Sequence, residues 1–128
     1  MPNHEEHENI IKAASDQFQE ILENSADSIY IYLDDTHKLA NKNFANLLEY
    51  ASPEEWANVV DPFTEMLADE KSQHTLVHAY SRAMEKMAAS KIAVSWKTKT
   101  GKIINTNVII VPISINGQLL ALHFVEKI

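Results

Sequence analysis

The sequence predicts an α+β domain, and three observations carry that reading. An apolar period of 3.6 runs through the first two dozen residues and returns from Ser72 to Ala89. From Lys91 onward the period becomes two. Thr100-Gly101 and Asn116-Gly117 then cut that last stretch into a three-strand meander, Asn-Gly being a strong two-residue hairpin signal. A chain of 128 residues that is 45% hydrophobic has the material for one domain with a real core.

Residues 5–23 form the first expected helix, with Ile11, Ala14, Phe18 and Ile21 at 4-3 spacing and Ile10 and Leu22 alongside. A strand follows at Ser28–Leu33, where Ile29, Ile31 and Leu33 alternate with Tyr30 and Tyr32. Asp34-Asp35-Thr36 is a turn and His37–Ala40 a short return strand. Three short helices come next. Asn41–Glu49 carries Phe44, Leu47 and Leu48 on one face. Ser52-Pro53-Glu54-Glu55 is a capping box with proline at the first helical position, ahead of Trp56 and Val59. Asp61-Pro62 repeats the device before Phe63 and Met66-Leu67.

The helix Ser72–Ala89 presents Leu76, Tyr80, Ala83, Met84 and Met87 on its apolar face. The meander strands are Lys91–Lys97, with Ile92, Val94 and Trp96 on one side, then Lys102–Ile115, then Gln118–Glu126. Along the middle strand Ile104, Thr106, Val108 and Ile110 line one face, and Ile109, Val111 and Ile113 make the far half apolar on the other as well. An antiparallel sheet with one wet face does not look like that. The residue 5–23 helix or a second subunit is expected to cover the outer side. Hence Ile11, Ala14, Phe18, Ile21, Ile109, Val111 and Ile113 are the expected dimer interface, and a homodimer is the expected state.

Certain residues in this order resemble the PAS family over residues 17–126. They are the segment Phe18–Asp27 ahead of the first strand, Asn41–Tyr50 with Phe44 and Leu48, Ser52–Trp56, and Trp96–Gly101. The resemblance implies a five-stranded antiparallel sheet in order 2-1-5-4-3 with helices enclosing a cavity against one face. It divides the chain into residues 1–23, an amphipathic helix for capping or dimerisation, and residues 24–128, the PAS-like domain. It also implies a sensory or signalling module that binds a small ligand, a signalling-protein partner, or both. Chromophores are not expected. The flavin photosensors of the family need a cysteine, which this chain lacks, and His74 and His78 sit on the polar face of their helix, away from a haem axial position. No cofactor is therefore expected beyond a small apolar or weakly polar ligand. The chain closes on Glu126-Lys127-Ile128, so no output domain is expected.

Composition removes other classes. Without cysteine there is no thiolate nucleophile, disulfide or Cys-ligated metal. The net charge is −7, and seventeen of eighteen acids fall in residues 1–90, so nucleic acid is not an expected partner. The start Met1–Glu8 has neither a basic nor an apolar region of a secretory signal, and no run is long enough for a membrane helix. The expected location is cytoplasmic, with no membrane partner.

The candidate chemistry is a pocket between sheet and helices lined by Ile29, Ile31, Phe44, Leu48, Leu76, Tyr80, Met84, Ile92, Val94, Trp96, Val108, Ile110, Leu122 and Phe124. A close-packed core is the competing reading, in which the domain is purely a protein-interaction module. Tyr80 and Trp96 favour a cavity, because a buried hydroxyl and indole want partners. Glu70, His74 and His78 share a helical face at metal-ligand spacing, yet with no further ligand in sight they read as a solvated stripe. His4 and His7 read as a mobile acidic end, and no metal site is expected. A cone-fold isomerase of similar length would need an acid or histidine in the pocket. Residues 91–125 hold no Asp or Glu, and His123 is assigned to the side opposite Leu122 and Phe124, so no enzyme is expected.

Overall fold

The computed structural model describes residues 4–128. Helix α1 (His4–Asn24) precedes β1 (Ser28–Asp34) and β2 (His37–Ala40). Two short helices follow, α2 (Lys42–Leu47) and α3 (Pro53–Ala57), then a 3-10 turn at Phe63–Met66. Helix α4 (Glu70–Lys86) leads into β3 (Ser90–Lys97), β4 (Ile103–Ile115) and β5 (Gln118–Lys127). The five strands form one antiparallel sheet in order β2-β1-β5-β4-β3, as the family resemblance implies.

Local chemistry sets the boundaries. Asn41 caps α2 by accepting from Phe44 N at 3.0 Å, and the same Oδ1 accepts from Ile29 N at 3.0 Å while Nδ2 donates to Asp27 O at 2.8 Å. One side chain thus ends β2, starts α2 and anchors the entry of β1. Ser52 caps α3 by accepting from Glu55 N at 3.0 Å, and Glu55 Oε1 reaches back to accept from Ala51 N. Asn116 (φ 51) and Gly117 (φ 83) make the two-residue β4–β5 turn, both left-handed as a primed hairpin requires.

Three boundaries differ from expectation. Helix α4 starts two residues earlier than expected because Asp69 is its cap, accepting from Ser72 N at 2.7 Å. Ser72 instead lies buried, with its hydroxyl accepting from Ser95 N at 2.8 Å to hold the helix on β3. At the other end Met87 adopts φ 53 and terminates the helix, so it is 58% exposed rather than part of the apolar face. Asp61 does not cap the 3-10 turn: Pro62 holds the cap position, and Phe63 N donates to Asp35 Oδ1 at 3.0 Å.

The sheet separates two cores. Its inner face meets α2, α3, the 3-10 turn and α4 through an aromatic cluster of Tyr30, Phe44, Trp56, Phe63 and Trp96, with Leu48, Leu76, Val94 and Val108 around it. Ile110, with Ala79, Ala83, Tyr80 and Met84, extends that side under α4. The outer face is aliphatic: Ile29, Ile31, Leu33, Ile115, Leu120 and Leu122 pack with Ile10 and Ala14 of α1, and Phe124, Val111 and Ile113 border them. Helix α1 therefore covers its own sheet. Ala14 has no exposed surface there, while Ile21 and Ile109 remain exposed.

Candidate ligand pocket

Four pocket assignments made from sequence change sides. Ile29, Ile31, Leu122 and Phe124 belong to the outer, α1-facing core and line no inner cavity. Register supplies the reason. Ile31 pairs with Leu122, which pairs with Val111; Ile29 pairs with Phe124, which pairs with Ile109. Directly paired residues share a face, so the apolar outer row of β4 continues through β5 into β1. The intervening row turns inward: Ala40, Tyr30, His123 and Ile110 are successive partners.

Tyr30 and His123 of that inward row border a cavity of about 270 Å³. Tyr30 and Tyr32 come from β1, Asp35 from the β1–β2 turn, and His123 from β5. Pro62, Phe63 and Thr64 form one lip, and Leu76, Val77 and Tyr80 of α4 form the other. Of the residues expected here from sequence, Leu76 and Tyr80 line the cavity. Phe44, Leu48, Val94, Trp96 and Val108 form the packed layer around Tyr30, and Met84, Ile92 and Ile110 pack under α4.

Tyr30 is the centre of the arrangement. Its ring stacks on the His123 imidazole at 3.9 Å between centroids and 10° between planes, with Phe44 at 4.7 Å and Phe63 at 5.5 Å. Tyr30 is fully buried, and among the described residues its hydroxyl has no hydrogen-bond partner. Burial, reinforced by neighbouring Tyr32, holds that hydroxyl protonated far above the usual tyrosine range. His123 donates from Nδ1 to Ala121 O at 3.0 Å, and burial pushes its pKa down to about 3, so the imidazole is neutral near pH 7.

The outer part of the cavity is more polar. Tyr32 donates its hydroxyl to Asp35 Oδ1 at 2.8 Å, and burial together with that bond raises its pKa strongly. Tyr80 meets Tyr32 edge-on at 5.4 Å, and burial, then Asp34 and Asp35, raises its pKa. Lys38 is held away from the cavity by three carbonyls, Asp35 O at 2.6 Å, Val59 O at 2.6 Å and Ala57 O at 3.2 Å, with its ammonium 5.3 Å from the Trp56 ring centroid. Burial lowers its pKa. The lining thus carries one carboxylate and no cation.

Both indoles are satisfied elsewhere. Trp96 Nε1 donates to Thr106 Oγ1 at 2.9 Å, which donates on to Val94 O at 2.9 Å. Trp56 Nε1 points at Met66 Sδ at 3.2 Å. Among the described residues the buried side-chain polar group left without a partner is the Tyr30 hydroxyl, on the inward face that the sequence reading gave to Ile29 and Ile31. Among the described residues, Glu70, His74 and His78 do not bring three ligand atoms together. No described helix is long and apolar enough to cross a membrane.

No protein-family model matches the chain, and no curated protein matches it. Solved structures do. The chain is similar to the PAS domain of a Colwellia psychrerythraea protein, with a TM-score of 0.69, 18% identity, and 90% of this chain and 97% of that one covered. It is similar to the PAS domain of nitrogen regulation protein NR(II) from Vibrio parahaemolyticus, with a TM-score of 0.63, 22% identity, and 85% and 95% covered. The PAS domain of an HTR-like protein from Haloarcula marismortui gives a TM-score of 0.63 at 19% identity, with 98% and 100% covered. At such identities the likeness speaks for the fold, and the fold it shows over most of the chain is that of a single PAS domain.

Proposed function

We propose that this chain is a sensory module whose signal is a small neutral or cationic molecule held in the Tyr30 cavity. The observation that carries the reading is an aromatic cavity of about 270 Å³ bordered by Tyr30, whose fully buried hydroxyl has no hydrogen-bond partner among the described residues. A buried polar group without a partner costs about 1–3 kcal/mol, and a ligand acceptor or donor meeting it would remove that cost. At about 30 Å³ per water-sized group, 270 Å³ holds on the order of nine non-hydrogen atoms. Aromatic walls from Tyr30, Tyr32, Phe63 and Tyr80 suit an aromatic or ammonium ligand, and Asp35 with no cation in the lining disfavours an anion.

The fold offers a route outward. On β1 and β5 the residues that meet the ligand alternate with residues that meet α1: Tyr30 lies between Ile29 and Ile31, and His123 between Leu122 and Phe124. A shift of either strand on ligand binding must move the seat of α1, because packed cores do not deform continuously. Helix α1 or a partner contacting it would then read the state of the pocket. Protein-observed NMR titration with phenol, indole, tetramethylammonium and benzoate tests this. Shifts at Tyr30, Phe63, Tyr80 and His123 with one of the first three, and none with benzoate, are expected. Benzoate binding alone, or no binding by any of them at millimolar concentration, contradicts it.

A further inference from the structure

Three histidines and two carboxylates, some thirty positions apart in the sequence, meet where α1 begins and the β1–β2 turn closes. His4 and Glu8 lie one turn apart on α1, so they share a face. His37, at the start of β2, is only 5% exposed and points both ring nitrogens into the cluster. Its Nδ1 lies 2.7 Å from Asp34 Oδ1, while Nε2 lies 2.8 Å from His4 Nδ1 and 3.5 Å from Glu8 Oε1. His7 holds the other oxygen of Asp34, Nδ1 to Oδ2 at 2.6 Å.

We propose that His4, Glu8 and His37 form a site for a zinc-class divalent cation, with Asp34 fixing His37 from behind. The tautomer follows from the geometry. Asp34 presents acceptor oxygens, Oδ1 at 2.7 Å from His37 Nδ1 and Oδ2 at 2.6 Å from His7 Nδ1. His37 therefore carries its proton on Nδ1 and offers a lone pair at Nε2. A carboxylate that orients a metal-binding imidazole in this way is the usual support of a zinc histidine. With zinc–ligand distances of about 2.0–2.2 Å, tetrahedral ligand atoms stand roughly 3.2–3.6 Å apart. The separations from His37 Nε2 are 2.8 Å to His4 Nδ1 and 3.5 Å to Glu8 Oε1, the three ligand atoms lie within 4.8 Å of one another, and His4 and Glu8 are exposed side chains that can reorient. Two neutral nitrogens and one carboxylate leave a fourth position for water. The first turn of a helix disfavours a cation, and Glu8 and Asp34 counter that charge locally.

The alternative grouping, His7, Asp34 and His37, would make Asp34 a ligand and give up its bonds to both imidazoles. An ion on His4, Glu8 and His37 would clip the start of α1 to the β1–β2 turn, since binding energy at a site made by the fold becomes folding energy. This reading stands independently of the ligand cavity.

The test is titration of the full chain with Zn²⁺ by calorimetry and with Co²⁺ by visible absorption. One ion per chain with a Kd on the order of micromolar or tighter is expected, with the intense visible bands of tetrahedral Co²⁺. His4→Ala and Glu8→Gln, at exposed positions that leave folding intact, should each weaken binding at least about 10-fold, and Asp34→Asn about 10–100-fold. His78→Ala, on the α4 stripe, should leave binding unchanged. Absence of binding at about 100 μM Zn²⁺, indifference to His4→Ala, or loss on His78→Ala overturns the proposal.

Discussion

The two faces of the sheet are built from the same strands but solve different problems. The outer face meets one helix and is largely aliphatic: Ile29, Ile31, Leu120 and Leu122 pack with Ala14, and the buried His37 meets the start of α1 beside them. The inner face meets several short elements and is aromatic, with Tyr30 making ring contacts with Phe44, Trp56, Phe63, Trp96 and His123. Flexible aliphatic chains fill a regular helix–sheet gap completely. Rigid rings that meet edge-on leave space between them, and they bring hydroxyl and indole groups that need partners. The aliphatic packing is thus suited to stability and the aromatic packing to recognition.

The comparison breaks first where an outer residue is removed. Ile31→Ala should cost about 2–5 kcal/mol, because Ile31 is fully buried under α1 and a rigid helix cannot collapse into the gap. Urea denaturation measures this; a cost near zero would mean that α1 does not seat on the sheet.

Acid sharpens it from the inner side. His123 has a folded pKa of about 3 against an ordinary value of 6.5, so below pH 6.5 the unfolded chain takes up a proton that the folded one refuses. This group's contribution is complete above about pH 6.5 and is lost as pH falls toward 3, at about 1.4 kcal/mol per pH unit. Between pH 6.5 and pH 5 it accounts for about 2 kcal/mol, a slope that His123→Gln should remove. An unchanged slope in that variant means that His123 is hydrated. Asp34 adds in the same direction at lower pH, since its depressed pKa is stabilising above the ordinary carboxylate range and lost beneath it.

A smaller effect is expected at Thr106→Val. It strips the partner from Trp96 Nε1 and should cost about 1–3 kcal/mol while leaving the cavity lining untouched. Fragment binding that falls together with stability would show that Trp96, and not the Tyr30 row, bounds the site.

The element order and the Asn116-Gly117 hairpin were legible in the sequence, and the sheet order followed from the family resemblance. The face of β1 was legible too, but by a longer argument than alternation. Asn116-Gly117 makes a two-residue turn, so Ile115 pairs with Gln118, and counting back pairs Val111 with Leu122 and Ile109 with Phe124. Leu122 and Phe124 must share the outer side of Val111 and Ile109, and with β5 beside β1 the isoleucines of β1 follow. Reading Ile29 and Ile31 as pocket residues because they are the more hydrophobic set ignored that count. Tyrosine is amphipathic, and hydrophobicity alone does not tell which set of a Tyr/Ile alternation faces a cavity. Asp35 in the lining and His37 beside His4 were not legible, because each depends on where a turn docks in three dimensions. A histidine pair near the chain start looks the same whether it is loose or held by a partner thirty-three positions away.

The most direct test of the account is Tyr30→Phe, measured for thermal stability without ligand and for fragment binding. Losing a buried, unpartnered hydroxyl should leave the melting temperature unchanged or raise it, by an amount equivalent to about 1 kcal/mol, while binding of the fragment that fits best weakens about 5–10-fold. A lower melting temperature with unchanged fragment affinity would contradict the account, since the hydroxyl would then serve the fold and not a ligand.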